Sequence, residues 1–220
     1  MLIVHNEYDI IIQYSVVMPT PEASGAAGSL IYGGFTMKKL ILITGDLAAG
    51  KSTYSKILSE RYNMNVINKD PLKEILCDTI GFDGREQNLK LSVAATSVMC
   101  YLFSEFARLG RDIILEANFH AQELVRLNET AKENGYSVLT LVFRGDIAVL
   151  HERYMNRIRC EHRHPGHLSI ALDELEDFRQ YIEIARLDEI PGETIEVNAD
   201  DFAYKTDETL FRKIDDFLGR

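Results

Sequence analysis

Residues Gly45-Asp46-Leu47-Ala48-Ala49-Gly50-Lys51-Ser52 have the types and the spacing to hold a phosphate. Two glycines frame four residues, and a lysine and a hydroxyl follow at once, the G-x-x-x-x-G-K-S pattern of a phosphate-binding loop. To wrap a phosphate, the backbone must turn its N–H groups inward. Glycine adopts the dihedrals this needs, with no side chain in the way. A helix opening at the loop adds the positive end of its dipole. Lys51 is then placed to reach the β- and γ-phosphates of a nucleotide, and Ser52 to put its hydroxyl on Mg²⁺. The candidate nucleotide site therefore runs from Gly45 to Thr53.

Other residues with chemical potential stand after apolar runs. Asp70, in Asn68-Lys69-Asp70-Pro71, could accept the proton of an attacking substrate hydroxyl or contact the substrate. It could equally cap the helix that Pro71 would open. Glu116 ends the run Ile113-Ile114-Leu115. An acid there can hold Mg²⁺, bind substrate or orient the nucleophile, or simply pair with a surface arginine. Asn118 and His120 follow on the same loop as candidates for substrate contact. Arg153 and Arg157 are spaced i, i+4, so they share a helix face, with Arg159 and Arg163 beyond. Guanidiniums in a segment between helices suit a lid that stabilises charge on a transferred phosphoryl group. The alternative is a solvated, salt-bridged face. Cys160, His162, His164 and His167 are zinc-ligand types, but their spacing fits no common structural zinc pattern and Arg163 sits among them. Asn198 and Asp200 could contact a nucleotide base or form a polar turn.

The elements that must position these residues alternate in type. Strands are expected at 40–44, 65–68, 113–116, 138–143 and 194–197. Helices are expected at 51–62, 71–78, 86–109, 121–134, 147–157, 169–187 and 207–218. Alternating strands and helices predict a parallel sheet covered on both faces, with ligands at the carboxyl ends of the strands. Residues 1–36 stand apart. A β-branched run is followed by a segment rich in Pro, Gly, Ala and Ser, and Met37 immediately precedes the first core strand. The reading is an N-terminal extension, poorly ordered or dispensable, before one domain over 37–220.

Composition narrows the partners. The formal charge of −10 disfavours a free nucleic-acid surface. No apolar run looks long enough to span a bilayer. Three scattered cysteines form no disulfide framework, which points to a reducing cytoplasm.

The loop at 45–52, Asp70, the Glu116-Ala-Asn-Phe ending, the Arg153/Arg157 helix and the Arg-His-Pro-Gly-His segment together resemble small P-loop kinases. Among these the chain is most similar to the zeta-toxin-like, AAA-type ATP-binding group, near chloramphenicol phosphotransferase and gluconate kinase. The resemblance covers Met37 to the C-terminus. It implies a P-loop NTPase three-layer α/β sandwich, sheet order 2-3-1-4-5, with a helical lid. It also implies ATP and Mg²⁺ as cofactors and transfer of the γ-phosphate to a hydroxyl of a small molecule. Lys51 and Ser52 match the phosphate and Mg²⁺ positions, Asp70 the acid taken as base, and Arg153 and Arg157 the lid arginines. Nothing matches the sensor and arginine-finger parts of ring ATPases. Two other functions use the same loop. One is a nucleotide-dependent switch that hydrolyses ATP without an acceptor, and the other is a polynucleotide 5′-hydroxyl kinase.

Overall fold

The computed structural model describes residues 37–161, 163–168 and 172–220. The expected extension at 1–36, His162 and the start of the 169–187 helix lie outside the described residues. β1 (Lys38–Gly45) leads through the loop to α1 (Lys51–Tyr62), and β2 (Asn65–Asn68) leads directly to α2 (Lys69–Ile80). α3 (Gly84–Arg108), β3 (Ile113–Glu116) and α4 (Ala121–Glu133) follow, then β4 (Tyr136–Arg144) and α5 (Ile147–Cys160). A short 3-10 turn (Pro165–His167), α6 (Leu175–Ala185), β5 (Glu193–Asn198), a second 3-10 turn (Ala203–Thr206) and α7 (Glu208–Leu218) complete the fold.

The sheet order is β2-β3-β1-β4-β5. Every pairing is parallel, which aligns the carboxyl ends. Glu116 is opposite Ile43 on one side and Asn68 on the other, and Gly45 is opposite Phe143. Successive strand residues point to opposite faces. Ile41 and Ile43 of β1 therefore pack with Tyr54, Leu150, Phe178 and Phe211, contributed by α1, α5, α6 and α7. Leu40 and Leu42 pack on the other face with Met99, Phe103 and Leu127 of α3 and α4. Strands buried on both faces read in sequence as apolar runs, which is why β1, β3 and β4 were legible.

Three expectations change. α2 starts at Lys69, and its N-cap is Asn68, whose side chain accepts the Asp70 N–H at 2.9 Å. Asp70 is not the cap, because the asparagine two residues earlier already satisfies that first-turn donor. α6 is shorter than expected. Asp173 and Glu174 precede it, and Glu176 and Asp177 lie in its first turn, so the acids gather at the positive end of the helix. Finally, α3 is long and apolar enough to cross a membrane, contrary to the composition reading. Its apolar stripe, Leu91, Ala95, Met99, Phe103 and Ala107, is buried, and Met99, Phe103 and Ala107 belong to the core shared with β1 and β3.

Candidate active site

The phosphate loop is held from behind by β4. Gly45 has φ +117°, and a Cβ there would stand 2.1 Å from the Phe143 carbonyl oxygen. The next amide, Asp46 N–H, donates to that oxygen at 2.8 Å. At the other end Gly50 has φ +89°, and its Cβ would meet the Tyr204 hydroxyl at 2.1 Å. Tyr204 donates to Ala49 O at 3.1 Å, so the chain after β5 braces the loop. Both glycines are thus required by dihedral and by close approach. Ala48 also sits at positive φ (58°).

Lys51 is buried, and its ammonium donates to Gly45 O at 3.0 Å and Asp46 O at 2.5 Å. Burial lowers its pKa, while Glu116, Asp70 and Asp46 oppose the shift. The lysine therefore stands inside the loop, bonded to two of its carbonyls. Ser52 Oγ donates to Glu116 Oε2 at 2.9 Å, and Asn68 Nδ2 donates to the same oxygen. Glu116 is only 4% exposed. Burial raises its pKa, and the Lys51 charge and the Ser52 bond pull it back down. A hydroxyl and a carboxylate in direct contact beside the loop are hard oxygen donors of the kind Mg²⁺ takes, so Ser52 and Glu116 fit that ion.

Asp70 lies exposed at the start of α2. Its carboxylate makes no hydrogen bond among the described residues. Its charge is felt at Lys51, Glu116, Arg163 and His167. Residues 163–168, in the segment read from the sequence as a lid, pack against α2 and α3 here. His164 bonds Asp78 at 3.0 Å and His167 bonds Glu74 at 2.9 Å, both on α2. The Gly166 carbonyl accepts from Lys73 of α2 at 2.8 Å and from Asn88 of α3 at 3.0 Å. Arg163, half-buried, feels both Asp70 and Arg157, and burial lowers its pKa. Arg157 pairs with Glu161 at 3.3 Å and also acts on Lys51 and Glu116.

Arg153 takes a different course. Its guanidinium donates to the Ala199 and Asp200 carbonyls and lies 3.8 Å from the centre of the Phe202 ring. One turn of helix thus divides the arginine pair: Arg157 pairs with Glu161, and Arg153 bonds the loop after β5. Phe202 in turn lies against Gly50, 3.3 Å from where its Cβ would be. Asn198 accepts the Asp200 N–H at 2.7 Å, and Asp200 accepts the Asp146 N–H at 2.6 Å, so both take part in turns. Asn118 and His120 line a cavity with Thr44, Asp46, Leu47 and Arg186, on whose walls Asp70 does not appear. Among the described residues no group of three or more His, Cys, Asp or Glu could hold a metal. Of the four zinc-ligand types, His164 and His167 bond carboxylates of α2, and His162 lies outside the described residues.

The family model of an AAA domain (AAA_33) matches residues 40–184, more than half of the chain. The chain belongs to this AAA-domain family. No curated protein matches it by sequence. A candidate kinase from Chloroflexus aurantiacus j-10-fl superposes with a TM-score of 0.68 at 23% identity, over 83% of this chain and 98% of that one. A sugar kinase from Janibacter sp. HTCC2649, unliganded, superposes with a TM-score of 0.53 at 13% identity, over 83% and 95%. At such identities the likeness speaks for the fold. With the parallel 2-3-1-4-5 sheet and the loop at 45–52, it is a P-loop kinase fold.

The sequence reading missed Lys73, Asn88, Phe202, Tyr204 and Arg186. Lys73, one turn beyond Asp70 on α2, had a readable signal in its spacing. The others meet the site only through tertiary contacts.

Proposed function

We propose that the chain is an ATP-dependent kinase that transfers the γ-phosphate to a hydroxyl of a small-molecule acceptor. The observation that carries this reading is the division of labour at the start of α2. Asn68 takes the capping bond, which leaves the Asp70 carboxylate without a hydrogen-bond partner among the described residues, within the field of Lys51 and Glu116. An exposed acid near Lys51 with no hydrogen-bond partner among the described residues suits an acceptor hydroxyl.

In this reading Lys51 and the loop amides from Gly45 to Thr53 hold the phosphates. Ser52 and Glu116 would hold Mg²⁺, which when bound would supply charge neutralisation for the phosphates. Asp70 orients the acceptor hydroxyl and takes its proton as that oxygen bonds to the γ-phosphorus and the bond to the β–γ bridging oxygen breaks, releasing ADP. Arg157 and Arg163 stabilise the charge on the group in transit. The Arg153–Phe202 plate, beside Gly50, and Asn198 belong to the nucleoside side. The site works mostly by positioning and electrostatics. Cys77, Cys100 and Cys160 are free thiols, which suits work in the cytoplasm.

The test is a screen of hydroxylated metabolites with ATP labelled at the γ-phosphate. The reading expects label to move to at least one acceptor. ADP formation that no acceptor stimulates, with label found only in inorganic phosphate, would mark a nucleotide-dependent switch instead.

A further inference from the structure

A carboxylate inside a phosphate-binding loop is electrostatically out of place, because it repels the anion that the loop is built to hold. Asp46 is such a group. It is the second residue of the loop and is only 4% exposed, so water does little to screen it. Its neutralising partner is Arg186, just past the end of α6. Arg186 Nε donates to Asp46 Oδ1 at 3.2 Å, and Nη2 donates to Oδ2 at 2.6 Å. Nη2 also donates to Gly145 O at 2.6 Å, and Gly145 N–H donates to Asp46 Oδ2 at 3.1 Å.

This fork ties three pieces of chain together: the phosphate loop, the turn between β4 and α5, and the segment that returns from the lid. Meanwhile the main-chain carbonyl of Asp46 accepts from Lys51 at 2.5 Å. A single residue therefore meets Arg186 with its side chain and the phosphate-binding lysine with its backbone. Arg186 lies beyond the residues 40–184 that the family model matches.

We propose that Arg186 is a positioning residue for the nucleotide: it cancels the buried Asp46 charge, so that the loop and Lys51 can receive an anion. The inference rests on the nucleotide-binding reading above. Its logic is that of a buried ion pair, in which removing one partner is costly and removing both is much less so.

The experiment measures the affinity of the full chain for ATP with Mg²⁺ by titration calorimetry, in wild type, Arg186→Gln and the double variant Asp46→Asn/Arg186→Gln. Arg186→Gln strands the carboxylate beside the phosphates, and affinity should fall about tenfold or more. The double variant has no stranded charge and should recover to within about threefold of wild type, which a merely structural prop would not predict. A folded Arg186→Gln that binds like wild type overturns the inference, as does a double variant no better than the single one. If Arg186→Gln does not fold, Asp46→Asn serves in its place: it removes the charge that Arg186 cancels, so affinity within about threefold of wild type is expected, and a folded Asp46→Asn that has lost about tenfold overturns the proposal. A wild-type chain that binds no nucleotide overturns function and inference together. Wild-type binding with an indifferent Arg186→Gln overturns the inference alone.

Discussion

At the scale of single residues, the site is a short chain of bonds that begins on the phosphate loop and ends on α2: Ser52 to Glu116, Glu116 to Asn68, Asn68 to the Asp70 backbone. Asn68 both caps a helix and steers a buried acid. Asp70 is held by its main chain and left open at its carboxylate. Replacing Asp70 with Asn keeps the shape and removes the proton acceptor. Transfer should fall by about 10²- to 10⁴-fold, with ATP affinity nearly unchanged in calorimetry. Full transfer by Asp70→Asn would remove the base from the mechanism. The sequence did not separate the two roles at this point, because Asn and Asp are both good caps and stand two residues apart. Only the bond from Asp70 N–H to Asn68 decides which one caps.

At the scale of elements, the lid segment is seated on α2 and α3 through two His–carboxylate pairs and the Gly166 carbonyl. Burial lowers the pKa of His167 from the ordinary 6.5, against the pull of Asp70 and Glu74. The sign follows from that direction. Below pH 6.5 an unseated His167 takes up a proton that the seated one resists, so acid weakens the seat and alkali does not. Proteolytic nicking within 161–174 should therefore rise as pH falls below that value. His167→Gln, which cannot charge, should flatten this dependence; an unchanged dependence would mean that other groups govern the seat. The central strands were legible because burial on both faces writes β1, β3 and β4 as apolar runs between turns. The lid seat and the loop brace were not. Lys73 meets Gly166 across 93 positions and Arg186 meets Asp46 across 140, and no local spacing encodes such contacts. The course of Arg153 was hidden for a related reason: i, i+4 spacing fixes a shared face, not where two long side chains end.

At the scale of the whole molecule, the five strands place Asn68, Glu116, the phosphate loop and the turn after β5 along one edge of the sheet. Every candidate residue is carried by elements from Met37 onward. A chain starting at Met37 is accordingly proposed to fold and to bind nucleotide as the full chain does. Thermal unfolding and calorimetry on the shorter chain check this, and failure to fold would make residues 1–36 part of the domain. All of the assigned roles rest on the loop between Gly45 and Ser52 gripping nucleotide phosphates. The most direct measurement of that grip is ATP titration with and without Mg²⁺, in wild type and in Lys51→Ala. The account predicts Mg²⁺-dependent saturable binding by wild type, weakened about tenfold or more when the Lys51 ammonium is removed. Wild-type protein with no Mg²⁺-dependent affinity for ATP, or a Lys51→Ala variant that binds it equally well, would contradict the account.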